Sequence, residues 1–283
     1  LTSNPAIFEK AIVGSSLYDA QLQALVRANT TDAATLTELL AVEDIRAAAD
    51  LFQPVYQASQ AADGFVSLEV SPHLAHDTAG TLADARRLWK AVARDNLMIK
   101  VPGTPAGAEA IRQLITEGIN VNVTLLFSRA AYGRVAQAYL QGLQARASAG
   151  GDVSRVASVA SFFVSRIDAA ADAQIAQQKL SVPAGQLAIA NARMAYRDFQ
   201  QMTASAAWQA LARKGAKPQR LLWASTGTKN PAYRDTLYVE QLIGAQTVNT
   251  VPPATLDAFR LPQHERDEVV AFIQSTKADI VEV

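Results

Sequence analysis

The chain has 283 residues, 49% of them hydrophobic, with 26 basic residues against 26 acidic ones, three histidines and no cysteine. Balanced charge excludes a general nucleic-acid or membrane-surface binder, and the lack of cysteine excludes disulfides, thiolate metal sites and cysteine nucleophiles. No apolar run approaches the roughly 20 residues that span a bilayer, so the expectation is a soluble cytoplasmic protein that uses neither metal nor cofactor.

In chain order, residues 1–5 (LTSNP) read as a strand already under way, with Thr2 and Asn4 on one face. Asp19, Asp32 and Asp44 follow on apparent helices. Residues 64–70 (GFVSLEV) form a strand whose Val66, Leu68 and Val70 oppose Ser67 and Glu69, because strand side chains alternate faces. His73 and His76 come next without a third ligand and read as loop or cap residues. Residues 78–94 carry Leu82, Ala85, Leu88, Trp89 and Val92 at helical spacing, with Arg86, Arg87 and Lys90 as the solvated face. In the strand at 96–100, Leu97, Ile99 and the following Val101 oppose Met98 and Lys100. The stretch from Gly103 to Gly107 then reads as a tight turn opening a helix.

Residues 120–127 form a further strand, with Val121, Val123 and Leu125 opposite Asn122 and Thr124. A helix over 128–147 opens on Ser128 as N-cap and ends before Gly150 and Gly151. Strand 155–163 places Ser161 near its end and Arg166 in the next turn. Residues 185–215 predict one long Ala-rich helix closed by Gly215, with Trp208 in the core or at a subunit contact. The last two strands are 220–226, with Trp223 and Ser225 on one face, and 245–251. The loop after the first of them carries Thr226, Thr228 and Lys229.

Strands alternating with helices mean βα units and a parallel sheet. Neither G-x-G-x-x-G nor G-x-x-x-x-G-K-[ST] is present, so the sequence carries no dinucleotide or nucleotide loop. A parallel sheet buried on both faces is apolar on both. Here one face of each strand is polar, and polar groups at the C-terminal strand ends are how a barrel builds its site. The prediction is a (β/α)8 TIM barrel occupying residues 1–283 as one domain, with the first of its eight strands upstream of Leu1.

Lys100 then points into the barrel mouth. A desolvated lysine has a lowered pKa, and a neutral amine condenses with a carbonyl to give a Schiff base. Glu69 is the candidate proton shuttle, directly or through a water held by Thr124. Asn4, Asn122 and Ser161 suit a substrate's hydroxyls. Arg166, Ser225, Thr226, Thr228 and Lys229 combine a cation, hydroxyls and a helix start as a phosphate site does. Each residue alone has a plainer reading. Lys100 could be a snorkelling lysine, Glu69 a structural ion pair, and Arg166 a surface partner of Asp168 or Asp172. Three polar residues on the inward parity of three consecutive strands favour the chemistry.

The stretches TSNPAIFEKAI, VSLEVSPHLAHDT, MIKVPGTPAGAEAI, GINVNVTLLFS, SVASFFVSRID, LLWASTGTKNPAYRD and TVNTVPPATLDAF, in that order, resemble transaldolase from Thr2 to about Phe259. They are closest in character to the bacterial branch in which phosphoglucose isomerase is sometimes fused downstream. The resemblance implies transfer of a dihydroxyacetone unit from a ketose phosphate to an aldose phosphate in the pentose phosphate pathway. It implies Lys100 as the Schiff-base lysine, Glu69 as the carboxylate working with a catalytic water, and Thr124 as the residue that positions it. Asn4, Asn122 and Ser161 match donor-site residues, and Arg166, Ser225 and Lys229 match phosphate contacts, Lys229 replacing an arginine used elsewhere in the family. A fructose 6-phosphate aldolase and a non-catalytic sugar-phosphate-binding barrel are the alternatives. The partners implied are sugar phosphates, without nucleic acid or membrane, and a homodimer is the assembly allowed for. The family also carries a catalytic Asp on its first strand. Asp19, Asp32 and Asp44 are poor substitutes, so an upstream Asp-bearing segment is expected. The text after Phe259 does not match the expected helical tail and is given no role.

Overall fold

Six short strands pair into one parallel sheet whose spatial order is the chain order. The computed structural model describes residues 1–28 and 32–260. Helices α1 (Pro5–Val13), α2 (Asp19–Arg27) and α3 (Ala33–Ala58) lead to β1 (Val66–Glu69) and α4 (Thr78–Val92). There follow β2 (Leu97–Pro102), α5 (Pro105–Glu117), β3 (Val121–Leu126), α6 (Arg129–Ser148), β4 (Ser158–Phe163) and α7 (Ser165–Gln178). The described chain ends with α8 (Leu187–Ala204), α9 (Ala206–Ala212), β5 (Arg220–Ala224), α10 (Leu237–Gln241), β6 (Val248–Asn249) and α11 (Pro253–Phe259). The tail after Phe259, apart from Arg260, lies outside the described residues. No helix among the described residues is long and apolar enough to cross a membrane.

Each crossover packs a helix on the sheet, and the outward side chains of the strands (Val66, Ile99, Val123, Ala160, Leu221) join the helix-facing core. A separate small cluster of Met98, Ala157, Val159, Leu222 and Ala224 fills the concave side, with Phe65, Phe163 and Val248 against it. Residues from both edges of the sheet meet there, so the sheet curls toward closure. At the strand starts, Lys217 Nζ donates to the Gln60 and Ala61 carbonyls, and Arg220 to the Ala62 carbonyl and the Asp63 carboxylate. These bonds tie the entry to β5 to the turn before β1.

Four expectations are corrected. The strand read at 1–5 is a single parallel bridge, Thr2 to Ser67. Asn4 and Pro5 then start α1, Pro being suited to the first helical turn. The helix read over 185–215 breaks at Ser205, whose extended backbone and hydroxyl, accepting from Trp208 N–H, cap α9 instead. Trp208 is buried in the core. Leu125 does not share the helix-facing side with Val121 and Val123. The register shifts between Val123 and Leu126, Leu125 adopts φ 61°, and Leu126 takes the buried place. Trp223 likewise faces outward, packing edge-on against Phe162 and donating from Nε1 to the Leu242 carbonyl at 2.7 Å, while its neighbours Leu222 and Ala224 face inward.

The turn after β2 is as tight as its glycines suggest. Thr104 caps α5 by accepting from Gly107 N–H at 2.9 Å and donates its hydroxyl to the Ala75 carbonyl at 2.6 Å. A Cβ on Gly107 would lie 1.9 Å from the Pro102 carbonyl oxygen. Gly107→Ala is therefore expected to destabilise the fold by about 1–3 kcal/mol through overpacking against rigid backbone. The check is a lower urea midpoint with an unchanged denaturant slope.

Candidate active site

Lys100 and Glu69 are register partners on β2 and β1. Both strands keep perfect alternation, so both side chains turn to the concave side. Lys100 is 7% exposed. Its Nζ donates to the Ser3 carbonyl at 2.9 Å and to Glu69 Oε2 at 3.0 Å. Two acceptors leave one N–H position for the cavity that Lys100 lines. That cavity has a volume of about 200 Å³ and is walled by Lys100, Thr124, Ser161, Phe163, Arg166 and Ser225, among others. Its lining comes from the C-terminal halves of β2, β3, β4 and β5, from the segment before α1, from the start of α7 and from the residues that follow β5 and β6.

Thr124 and Ser161 are buried, as inward residues of β3 and β4. Asn122 lies one layer deeper. Its Nδ2 donates to Ser67 Oγ at 3.0 Å and its Oδ1 accepts from Ser161 Oγ at 2.7 Å. Ser3 Oγ adds a bond to the Ser67 carbonyl at 2.7 Å. The chain Ser3–Ser67–Asn122–Ser161 is a polar floor that fixes the Ser161 hydroxyl and the Ser3 carbonyl on which Lys100 rests. Ser67 and Ser3 were not picked out as site residues, although the inward parity of Ser67 beside Glu69 was the available signal.

Asn4 lines the cavity, but its Oδ1 is occupied as the N-cap of α1, accepting from Ile7 N–H at 2.9 Å. Only its Nδ2 remains for a ligand. Glu69 reaches Lys100 from the wall of an adjoining groove, which it shares with Ser3 and Asn4. Asp19, Asp32 and Asp44 are absent from the cavity. Asp32 caps α3 and Asp44 accepts from Tyr18 OH at 2.7 Å.

Arg166 is exposed and lines the cavity, its guanidinium 5.4 Å from the Phe163 ring centroid, a cation–π distance. Among the described residues it forms no ion pair. The ion pair considered for it does not form, because Asp168 accepts from Ala188 N–H and Tyr238 OH, and Asp172 from Gly185 N–H and Tyr233 OH. Ser225 reaches the cavity through a left-handed backbone, φ 57°, rather than by strand alternation, and its hydroxyl is 2.9 Å from that of Ser165. Thr226 is buried and donates to Asn249 Oδ1 at 2.8 Å, away from the cavity. Lys229 opens instead onto a neighbouring chamber of about 210 Å³, with Ser165, Asp172 and Tyr233. Thr250, also unremarked in the sequence, completes the wall and donates its backbone N–H to the Trp223 carbonyl at 3.1 Å.

A shielded amine, a carboxylate in contact with it, nearby hydroxyls and a separate cation at the rim make a site for condensing with the carbonyl of a small polar, anionic substrate. Residues 1–282 match the family model described as Transaldolase/Fructose-6-phosphate aldolase, so the match continues past Phe259, where the resemblance was read as ending. The chain is 51% identical over 269 residues to the protein named Transaldolase of Trichodesmium erythraeum, covering 91% of this chain and 70% of that one. It is 50% identical over 264 residues to the Transaldolase of Thiobacillus denitrificans, covering 92% and 73%. With the Transaldolase of Thermobifida fusca the identity is 51% over 262 residues, covering 91% and 71%.

Proposed function

The chain belongs to the transaldolase/fructose-6-phosphate aldolase family and is a transferase, and from that premise we propose that Lys100 carries its chemistry as a Schiff-base amine on a barrel of the (β/α)8 type. The observation that carries the reading is the Lys100–Glu69 contact at 3.0 Å, with Lys100 buried at the wall of a polar cavity. Glu69 takes one proton from Lys100, freeing the nitrogen lone pair, and gives it to the ketone oxygen of a sugar phosphate as the amine adds. It then moves a second proton from the nitrogen to the carbinolamine hydroxyl, which leaves as water. The resulting iminium accepts the electron pair of the C3–C4 bond as the C4 hydroxyl gives up its proton to water, so the aldose departs and a three-carbon enamine stays on Lys100. The enamine carbon then attacks the acceptor aldehyde, and hydrolysis frees the new ketose phosphate.

In this reading the Thr124 hydroxyl, for which the described residues supply no hydrogen-bond partner, holds the water that Glu69 works through. Ser161 meets the donor's hydroxyls, held from below by Asn122, which does not itself line the cavity, and Asn4 meets them with its Nδ2. Arg166 and Ser225 hold the phosphate at the rim of that cavity, and Lys229 flanks it from the neighbouring chamber. Transfer, rather than release of free dihydroxyacetone, is favoured by the names of the relatives, each a transaldolase.

With fructose 6-phosphate and erythrose 4-phosphate, equal amounts of sedoheptulose 7-phosphate and glyceraldehyde 3-phosphate are expected, with free dihydroxyacetone a minor product by chromatography. Dihydroxyacetone released at a rate indifferent to the acceptor would identify an aldolase instead. Binding of fructose 6-phosphate without any product or covalent adduct would identify a non-catalytic barrel.

A further inference from the structure

α7 begins at the rim of the cavity and supplies more to it than Arg166. Its first residue, Ser165, donates its N–H to the Ser225 carbonyl at 3.0 Å and pairs its hydroxyl with that of Ser225 at 2.9 Å. One turn later Asp168, 1% exposed, accepts from Tyr238 OH at 2.9 Å and from Ala188 N–H at 2.7 Å. A further turn on, Asp172 accepts from Tyr233 OH and, at 3.0 Å, from Gly185 N–H. Tyr233 and Tyr238 bracket the end of the segment joining β5 to α10, and Ser225 and Lys229 lie at its start. Gly185, at φ 76°, leaves room for this arrangement, since a Cβ there would stand 2.8 Å from the Tyr233 ring.

A carboxylate is an odd neighbour for an anion site. Asp172 lines the same chamber as Lys229, and its charge repels the phosphate that Lys229 would hold. Its position makes sense as an anchor, because Tyr233 OH binds the β5–α10 segment, and Gly185 N–H the turn before α8, to the helix that bears Arg166. Burial and the Asp172 contact push the Tyr233 phenol up to about 12, so it stays a donor at every working pH. Burial is the first cause of the raised Asp168 and Tyr238 values as well, which keeps the companion bond in a poorly solvated setting.

We propose that Tyr233 and Asp172 are positioning residues of the phosphate pocket. Their hydrogen bond sets the β5–α10 segment so that Ser225 meets the same phosphate as Arg166, with Lys229 flanking it from the neighbouring chamber. The inference rests on the phosphate role assigned above to Arg166, Ser225 and Lys229.

Steady-state kinetics on the full chain test it, with fructose 6-phosphate and free fructose as donors and inorganic phosphate as a competing probe. Tyr233→Phe is expected to raise both KM for fructose 6-phosphate and the phosphate inhibition constant by about 10–150-fold, the equivalent of one lost hydrogen bond to a charged acceptor. kcat should stay within twofold, and kinetics with free fructose should not change. Asp172→Asn can keep both contacts without the charge, its Oδ1 accepting from Gly185 N–H and its Nδ2 donating to the Tyr233 oxygen, and should keep KM at or below the wild-type value, whereas Asp172→Ala should match Tyr233→Phe. An unchanged KM in Tyr233→Phe would overturn the proposal, as would an equal loss with free fructose. Asp172→Asn behaving like Asp172→Ala would also overturn it, because the charge and not the bond would then matter. The underlying phosphate assignment fails separately, when phosphate does not compete in the wild type and Arg166→Ala leaves KM for fructose 6-phosphate untouched. Should Tyr233→Phe not fold, the two Asp172 variants decide alone.

Discussion

Replacing Lys100 with methionine is expected to lower turnover by about 10⁴-fold or more and to abolish the adduct that borohydride traps in the presence of fructose 6-phosphate. The size of the loss follows from the route. Without the iminium there is no electron sink, and carbon–carbon cleavage has no low-energy path through the remaining side chains. Methionine keeps the length and apolar stem of the lysine, so the packing of that stem is preserved. Glu69 loses its partner but is 21% exposed on its side chain and lines an open groove, so water can solvate it. The cost to the fold is then about 1 kcal/mol, or roughly 2–4 °C of Tm. Mass spectrometry of the reduced wild-type protein should place the adduct on Lys100. An adduct on Lys217 or Lys229, or a variant retaining a tenth of the wild-type turnover, would reject the assignment.

The pair at the centre of the site was legible because β1 and β2 obey simple alternation without interruption. Val66, Leu68, Leu97 and Ile99 go to the helices, so Ser67, Glu69, Met98 and Lys100 go inward, and the register sets Glu69 beside Lys100. Ser161 follows the same rule on β4. Legibility ends where the backbone leaves the β region. At Leu125 a left-handed residue shifts the register, so the expected face of that one side chain is wrong while Thr124 before it is right. Ser225 was placed in the site on the parity of Trp223, yet Trp223 points outward and only the left-handed turn at Ser225 restores its hydroxyl to the cavity. Both exceptions stand at the C-terminal rim, where a non-glycine residue in that conformation costs about 1–3 kcal/mol and persists because its surroundings enforce it. Periodicity carries no information about such positions, nor about the loop that gives Lys229 a chamber of its own. The capping role of Asn4 was equally invisible, since a helix cap and a substrate contact call for the same residue type.

The same geometry makes Glu69 the second large effect. Glu69→Gln keeps the shape of the side chain, and its amide oxygen can still accept from Lys100, but it cannot carry a proton. The expected result is a fall in kcat of roughly 10²–10⁴-fold, the range for losing a general acid–base, with little change in the KM for fructose 6-phosphate. Single-turnover formation of the trapped adduct should slow by a similar factor, because both amine addition and loss of water need the shuttle. A packing role for Glu69 predicts a different pattern, in which Gln behaves as wild type and Ala is merely less stable. The groove on the outer side of Glu69 supplies an independent discriminator. Glu69→Ala opens a path from that groove to Lys100, so added formate should restore part of the rate in a concentration-dependent way, while chloride at equal ionic strength should not. A Glu69→Gln enzyme within tenfold of wild type would reduce the carboxylate to a structural partner and leave Thr124 with its water as the remaining route for the proton.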